Sequence, residues 1–263
     1  MRREGSLTLI HPQAIIDPAA RLAEGVSVGA FSVVGAGVEI GAGTRIASHV
    51  VIDGPTRIGR DNKIYSFAAI GGDPQDKKYA GETTRLEIGD RNVIREYVTI
   101  SRGTVQDEGL TRIGDDNWIM AYVHIAHDCR VGSHTIFANS ASLAGHVTIE
   151  DHVILGGFTL LHQFCKVGAH AFTAMNSVIS KDVPPFLMVS GHMARPHGLN
   201  IEGLKRRGFS PDTLSRLRKA YRILYRSGLT LEQAIEQLQA MEGGAEIDRL
   251  VGFLRDVSRG IVR

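Results

Sequence analysis

Eleven histidines stand in this chain, and several sit beside residues that would give an imidazole work to do. His124 and His127 precede Asp128; Gly145 and His146 follow, and then His162 and Gln163. A neutral imidazole near pH 7 can take the proton of a hydroxyl as that hydroxyl attacks a thioester. A neighbouring carboxylate such as Asp128 would orient the ring and stabilise the imidazolium, as in a catalytic triad. A glycine such as Gly145 brings a backbone N–H close to a developing oxyanion, because no Cβ intervenes. No Ser or Cys nucleophile motif accompanies these residues, which favours direct transfer over a covalent acyl-enzyme. Two other readings stand beside this one. Imidazoles from neighbouring strands can hold a zinc ion, and solvated or core histidines need no chemical role at all.

Whether these residues meet depends on the elements that carry them, and those elements follow from a repeat. From Ile10 an aliphatic residue returns at every sixth position, through Ile16, Leu22, Val28, Val34, Ile40, Ile46, Ile52, Ile58 and Ile64 to Ile70. The series resumes at Ile88, Ile94 and Ile100, and again at Ile113, Ile119, Ile125 and Val131. It then runs through Phe137, Leu143, Ile149, Leu155, Leu161, Val167 and Thr173 to Ile179, with only Thr173 not hydrophobic. The next residue is usually small, as in Gly29, Gly41, Gly59, Gly89 and Gly114, and is read as the point where the backbone turns. A period of six fits neither an α-helix nor ordinary alternating strands. It fits a solenoid of short flat strands with the aliphatic side chain inward. Three hexads close a triangular coil of about 18 residues, and coils stack about 4.8 Å apart as parallel strands. About nine coils make a prism roughly 40 Å long.

In that register Gly145 lies over His127, His146 over Asp128, and His162 over Ala144 and Ala126. His124, His127, His146 and His162 then gather within roughly 10–15 Å of one another. His162 occupies a slot where the repeat prefers a small residue, and breaks in a strict local rule are where function is expected.

Two insertions interrupt the prism, at 73–87 and at about 105–112. The first is polar and contains Gly and Pro, as a projecting loop does, and such loops on rigid scaffolds often carry function. After Asp182 and its two following prolines the pattern becomes helical. Ser210, Pro211 and Asp212 read as an N-cap and first turn, with Gly228 as the stop. Thr230 to Gln233 reads as a capping box opening a second helix that ends near Gly243 and Gly244. A third runs from about Ala245 to Ser258, with Leu250, Phe253, Leu254 and Val257 on one face. The expected organisation is a β-helix over 1–190 and a small α-helical domain over 191–263 that covers one end of the prism.

Composition agrees with a repetitive soluble scaffold. Hydrophobic residues make up 43% and aromatics only 6%, while thirty glycines suit tight backbone turns. A net charge of +2 gives no argument for nucleic acid or for a membrane surface. The two cysteines, Cys129 and Cys165, point to a reducing compartment. The opening stretch from Met1 to Ser6 is basic without a following signal-length apolar run, and no segment is apolar enough to span a bilayer. The expectation is a soluble, cytoplasmic protein.

The aliphatic–small hexad resembles the hexapeptide-repeat transferase superfamily, whose prism winds left-handed; the handedness rests on that resemblance, since ordinary parallel crossovers are right-handed. More narrowly, His124-Ile-Ala-His-Asp-Cys129, Leu143-Ala-Gly-His-Val147, His162-Gln-Phe-Cys165 and the stretch from Asn200 to Phe209 resemble the UDP-N-acetylglucosamine O-acyltransferases of lipid A biosynthesis in Gram-negative bacteria. The likeness covers nearly the whole chain. It implies a homotrimer with each site in a groove between neighbouring prisms. It also implies an (R)-3-hydroxyacyl chain delivered on acyl carrier protein to the 3-hydroxyl of UDP-N-acetylglucosamine, with no cofactor or metal. By resemblance His127 is the general base, Asp128 its support and Gly145 N–H the oxyanion donor. His124, His146, His162 and Gln163 line the sugar and acyl-donor site, and Asp76 and Lys78 of the first insertion contact the sugar and phosphate. Asn200, Glu202, Arg206 and Arg207 hold the uridine diphosphate, which suits the bidentate grip of guanidinium on phosphate. Read without the family, Lys205, Arg206 and Arg207 make a solvated basic patch that would also suit an acidic carrier protein.

Two departures bear on specificity. The family often shows His-Arg-Gly-Thr where this chain has Ser101-Arg-Gly-Thr104, so an imidazole is replaced by a hydroxyl on the active face. Some members acylate a 3-amino analogue of the sugar, which leaves the acceptor atom open. Met175, stacked over Gly157, stands where a glycine in the family leaves room for a longer chain. A thioether there would favour a donor of about ten carbons. Three further alternatives remain. Some γ-class carbonic anhydrases hold zinc between histidines of a similar prism. An ice-binding solenoid would need a flat Thr-rich face, and a nucleotide-sugar binding protein would survive loss of His127.

Overall fold

The structure, a computed structural model, describes residues 9–241 and 243–263; the basic opening stretch from Met1 to Ser6 lies outside them. Strands of two to four residues build three flat parallel faces. The first face starts at Leu9–Ile10, the second at Ile15–Ile16 and the third at Arg21–Leu22, and each next strand in a face lies one coil further on. The pairing register joins the aliphatic positions coil to coil, as in Ile125 opposite Leu143 and Leu143 opposite Leu161. The aliphatic column fills the interior as expected, from Val28 through Ile100 and Ile125 to Ile179. Thr173 is wholly buried too, but its hydroxyl meets that of Thr159 at 2.8 Å and accepts from Gly156 N–H at 3.1 Å. A buried hydroxyl with partners costs little.

The turn lies elsewhere than the small residue. The left-handed corner falls three positions after the aliphatic one and is mostly not glycine: Phe31, His49, Tyr97, Asp128 and His146 all have φ near +60°. The glycine that follows the aliphatic residue answers a different need. A Cβ on Gly59 or Gly89 would come within 2.6 Å and 2.8 Å of the carbonyl oxygen of the next coil's glycine. Smallness there permits coil stacking rather than turning.

The first insertion is shorter than expected, and the second keeps its length but begins and ends three residues earlier. Arg85–Ile88 and Leu110–Ile113 are strands that pair with each other, so the loops are 73–84 and 102–109. Both leave the prism where the second face meets the third.

Past the prism, Leu187–Ser190 and Arg195–Leu199 form an antiparallel pair that extends the first face beyond residue 190. Among the described residues four helices follow: α1 (Ile201–Arg206), α2 (Pro211–Arg226), α3 (Leu231–Gln239) and α4 (Ala245–Arg255). The short α1 is not legible in the sequence, because a six-residue helix carries no clear amphipathic period. Ser210 caps α2, and the Thr230–Gln233 capping box opens α3 with both bonds formed. α3 stops at Gln239 and α4 at Arg255, each short of the expected ends, as frayed termini commonly do. Leu204, Leu217, Leu224, Leu238, Ile247 and Leu254 form a second core under these helices. Residue pairs Val167–Val183 and Asp182–Ile261 close the exposed strand end. No helix among the described residues is long and apolar enough to cross a membrane.

Candidate functional site

The corner where the second face turns into the third carries the candidate base. His127 follows the strand His124–Ile125, and Asp128 takes the left-handed corner at φ +60°. His127 Nδ1 and Asp128 Oδ2 are 2.8 Å apart. Because the carboxylate accepts, Nδ1 carries the hydrogen and Nε2 of the neutral ring presents its lone pair. Asp128 is buried, and its carboxylate also accepts from Thr104 N–H at 2.8 Å and from Thr104 Oγ1–H at 2.6 Å.

One coil on, Gly145 lies against the His127 ring. A Cβ at this position would sit 2.5 Å from Cε1 and 2.8 Å from Nε2. Its N–H donates to no group among the described residues. His146 N–H bonds His127 O at 3.0 Å, its ring stands edge-on to His127 at 5.2 Å, and its face stacks on Phe164 at 4.4 Å. His146 Nδ1 meets Asp107 of the second insertion at 3.2 Å.

Above this corner opens a cleft of about 580 Å³, walled by Asp76 and Lys78 from the first insertion, Asp107 from the second, and His127, His146 and Gln163 from the prism. The 18-residue arithmetic therefore brings together His127, Asp128, Gly145 and His146, and the insertions bring Asp76 and Lys78. Sequence reasoning misses Thr104, Asp107 and Thr111. The one signal toward them is the Ser101–Thr104 segment, which departs from the family pattern at its first residue and ends on Thr104.

Other candidates stand apart from the cleft. His124 bonds Thr99 Oγ1 at 2.7 Å on the second face, where burial and then the nearby His127 push its pKa down. His162 is exposed, with Nδ1 3.1 Å from Gln163 O. Neither of these two lines the cleft. Ser101 is buried in the column of Ala126, Ala144 and His162. Asn200 caps α1 and donates to His170 O at 3.0 Å, while Arg207 donates to His152 Nδ1 at 2.7 Å. Glu202 pairs with Lys205 at 2.9 Å, and Arg206 is exposed beside them. This group lies where the third face meets the first. Met175 and Gly157 lie at the remaining edge, between first and second faces, with Met175 74% exposed. Within the single chain the candidate residues thus fall at three different prism edges.

His127, Asp128 and His146 also place one potential metal donor each within 4.8 Å of one another. Their hydrogen bonds suit proton transfer better. A metal would have to take Asp128 Oδ2 from both Thr104 and His127, and His146 already turns Nδ1 to Asp107.

Comparison with known proteins fits this geometry. The family model described as UDP N-acetylglucosamine O-acyltransferase, domain 2, matches residues 182–262, and the bacterial transferase hexapeptide model matches 19–54 and 110–145. The chain is 61% identical over 259 residues to the acyl-[acyl-carrier-protein]–UDP-N-acetylglucosamine O-acyltransferase of Thiobacillus denitrificans, covering 98% of this chain and 100% of that one. The protein of the same name from Alkalilimnicola ehrlichii is 58% identical, with 98% and 100% covered. Among solved structures, the UDP-N-acetylglucosamine O-acyltransferase of Moraxella catarrhalis superposes with a TM-score of 0.94 at 48% identity, over 97% of this chain and 99% of that one. The UDP-N-acetylglucosamine acyltransferase of Francisella novicida gives 0.95 at 42%, over 97% and 94%. The fold is accordingly the left-handed β-helix with a helical C-terminal part.

Proposed function

The chain belongs to the UDP-N-acetylglucosamine O-acyltransferase family, and from that premise we propose that it moves an (R)-3-hydroxyacyl group from acyl carrier protein to the 3-hydroxyl of UDP-N-acetylglucosamine. The observation that carries the mechanism is the His127–Asp128 pair beneath the free N–H of Gly145. The sugar hydroxyl oxygen attacks the thioester carbonyl as its proton passes to His127 Nε2. Asp128 stabilises the imidazolium, and Gly145 N–H donates to the oxyanion. The tetrahedral intermediate then expels the carrier's thiolate, which takes the proton back from His127. A covalent acyl-enzyme is disfavoured: burial pushes the Cys129 thiol up to about 12 and the Cys165 thiol up to about 11, far from a reactive thiolate.

Asp76, Lys78, His146 and Gln163 stand around the acceptor in the cleft. Asn200, Glu202, Arg206 and Arg207 reach the nucleotide from a neighbouring subunit of a homotrimer, since their own His127 lies along another edge. An exposed aromatic ladder supports such an assembly: Phe31, His49, Phe67, Tyr97 and Tyr122 stack at 4.8–5.1 Å along the edge that carries Met175. Exposed stripes of this kind mark protein interfaces. Met175 on that edge sets the groove's length at about ten carbons of acyl chain. His124 and His162 act at the margin of the acyl-donor site. Buried free cysteines suit a cytoplasmic setting.

Replacing His127 with Ala tests the mechanism: acyl transfer should fall by about 10²–10⁴-fold with the fold intact, and near-normal turnover would remove the proposed base. A second reading, amide formation on a 3-amino sugar, is raised by Ser101, whose small hydroxyl occupies a buried slot of the second face where the family often has an imidazole. Assaying both sugars side by side decides it; acylation of the amino form alone would replace the ester reading.

A further inference from the structure

The second insertion does more than wall the cleft. Thr104 is wholly buried, and it gives Asp128 two of the three hydrogen bonds its carboxylate accepts, one to each oxygen. Thr111, where the chain rejoins the third face, accepts Asp128 N–H at 2.8 Å. Asp128 thus sits between the two ends of this insertion. A buried carboxylate needs such donors, and their directions fix its plane. With Oδ1 held by Thr104 N–H, Oδ2 faces His127 Nδ1, and the ring's Nε2 is turned to the cleft. The hydroxyl of Thr104 has this one acceptor among the described residues.

Resting on the reading of His127 as the base, we propose that Thr104 is a positioning residue for the transfer, fixing Asp128 and through it the tautomer and direction of His127. It touches neither substrate, so its loss acts on turnover and leaves acceptor binding alone. The neighbouring Arg102 works at the other end of the same segment. Its N–H bonds Gly72 O at 3.0 Å, and its guanidinium binds Asp73 and the Tyr79 hydroxyl, tying down the loop that carries Asp76 and Lys78.

The test compares Thr104→Val, which keeps shape and backbone N–H but lacks the hydroxyl, with Thr104→Ser, which restores it. For Thr104→Val, kcat should fall roughly 10- to 100-fold, the range expected for one hydrogen bond to a charged group. KM for UDP-N-acetylglucosamine should stay within about twofold. Thr104→Ser should recover kcat to within about threefold of the parent. In an Asp128→Ala background, Thr104→Val should change the residual kcat by less than about twofold, because its partner is gone. Thr104→Ala is read in the same way if the valine protein does not fold. Unchanged kcat in Thr104→Val, equal damage from Ser and Val, or fully additive loss in the double variant would overturn the proposal. His127→Ala, assayed alongside, separates the two failures. If it is dead while Thr104→Val is unimpaired, only the role of Thr104 falls; if it is active, the base itself is wrong.

Discussion

A Cβ on residue 145 would lie 2.5 Å from Cε1 of His127, closer than side-chain atoms approach, so the candidate base keeps its direction only because its neighbour one coil away is glycine. Gly145→Ala should therefore swing the imidazole off Asp128 and away from the backbone N–H of residue 145. A fall in kcat on the order of 10²-fold is expected, with a melting temperature close to the parent's. Steady-state kinetics with thermal melting checks it, and normal kcat would mean that the ring tolerates the methyl.

Asp128→Asn should cost on the order of 10³–10⁴-fold in kcat. The amide presents an N–H or an oxygen to His127 Nδ1 depending on its flip, and Thr104 already demands acceptors at both atoms. The imidazole then has no fixed tautomer. Turnover within about tenfold of the parent would remove Asp128 from the mechanism.

The chain should lose stability in mild acid through the stacked pair His152 and His170. Burial first, then His152 and Arg207, pull the His170 pKa down to about 4, and burial followed by Arg207 lowers His152. An unfolded histidine titrates near about 6.5. With folded values depressed, the stabilising contribution is complete above about pH 6.5 and is lost as pH falls toward about 4. His170→Phe, which fits beside Phe186 and Phe209, should flatten the melting temperature between about pH 7 and 4.5. An unchanged pH profile would place the acid sensitivity elsewhere.

Met175→Gly should lengthen the preferred acyl chain without destabilising the fold, because the side chain is 74% exposed in the single chain. Competition between carrier-bound donors of different length reads this directly. An unaltered preference would defeat the idea that Met175 closes the groove.

Mixing subunits tests the division of the site between edges. His127→Ala and Arg207→Ala proteins, each inactive alone, should regain activity when co-assembled, to about a quarter of the parent's if three subunits mix at random. No gain over the separate variants would mean that both residues serve one subunit.

The hexad made the prism legible, because an interior column must be apolar at nearly every sixth position, and this held for the interior from Val28 to Ile179 apart from Thr173, whose hydroxyl has buried partners. Its 18-residue period also placed Gly145 on His127 and His146 beside Asp128, since stacked coils fix which residues touch. The capping box at Thr230 and the cap at Ser210 were equally plain, being local chemistry within four residues. Less legible were the insertions. Nothing in the spacing says that Thr104 returns to bind Asp128 or that Asp107 reaches His146, because a loop's path depends on what it packs against. The same holds for the corner. Sequence assigned the turn to the small residue, whereas coil contact demands that residue's smallness and the left-handed backbone falls two positions later.

By itself, then, the sequence determined the repeating strand, its inward column and the coil-to-coil neighbours that set Gly145 on His127 and His146 beside Asp128, all from periodicity. Only the tertiary structure decided which histidines face a common cleft and which donors orient Asp128. It also placed the His127–Asp128 pair, the Asn200–Arg207 group and Met175 at three different edges. Those outcomes depend on where each coil turns and where each loop lands, and they are set by contacts between residues far apart in the chain.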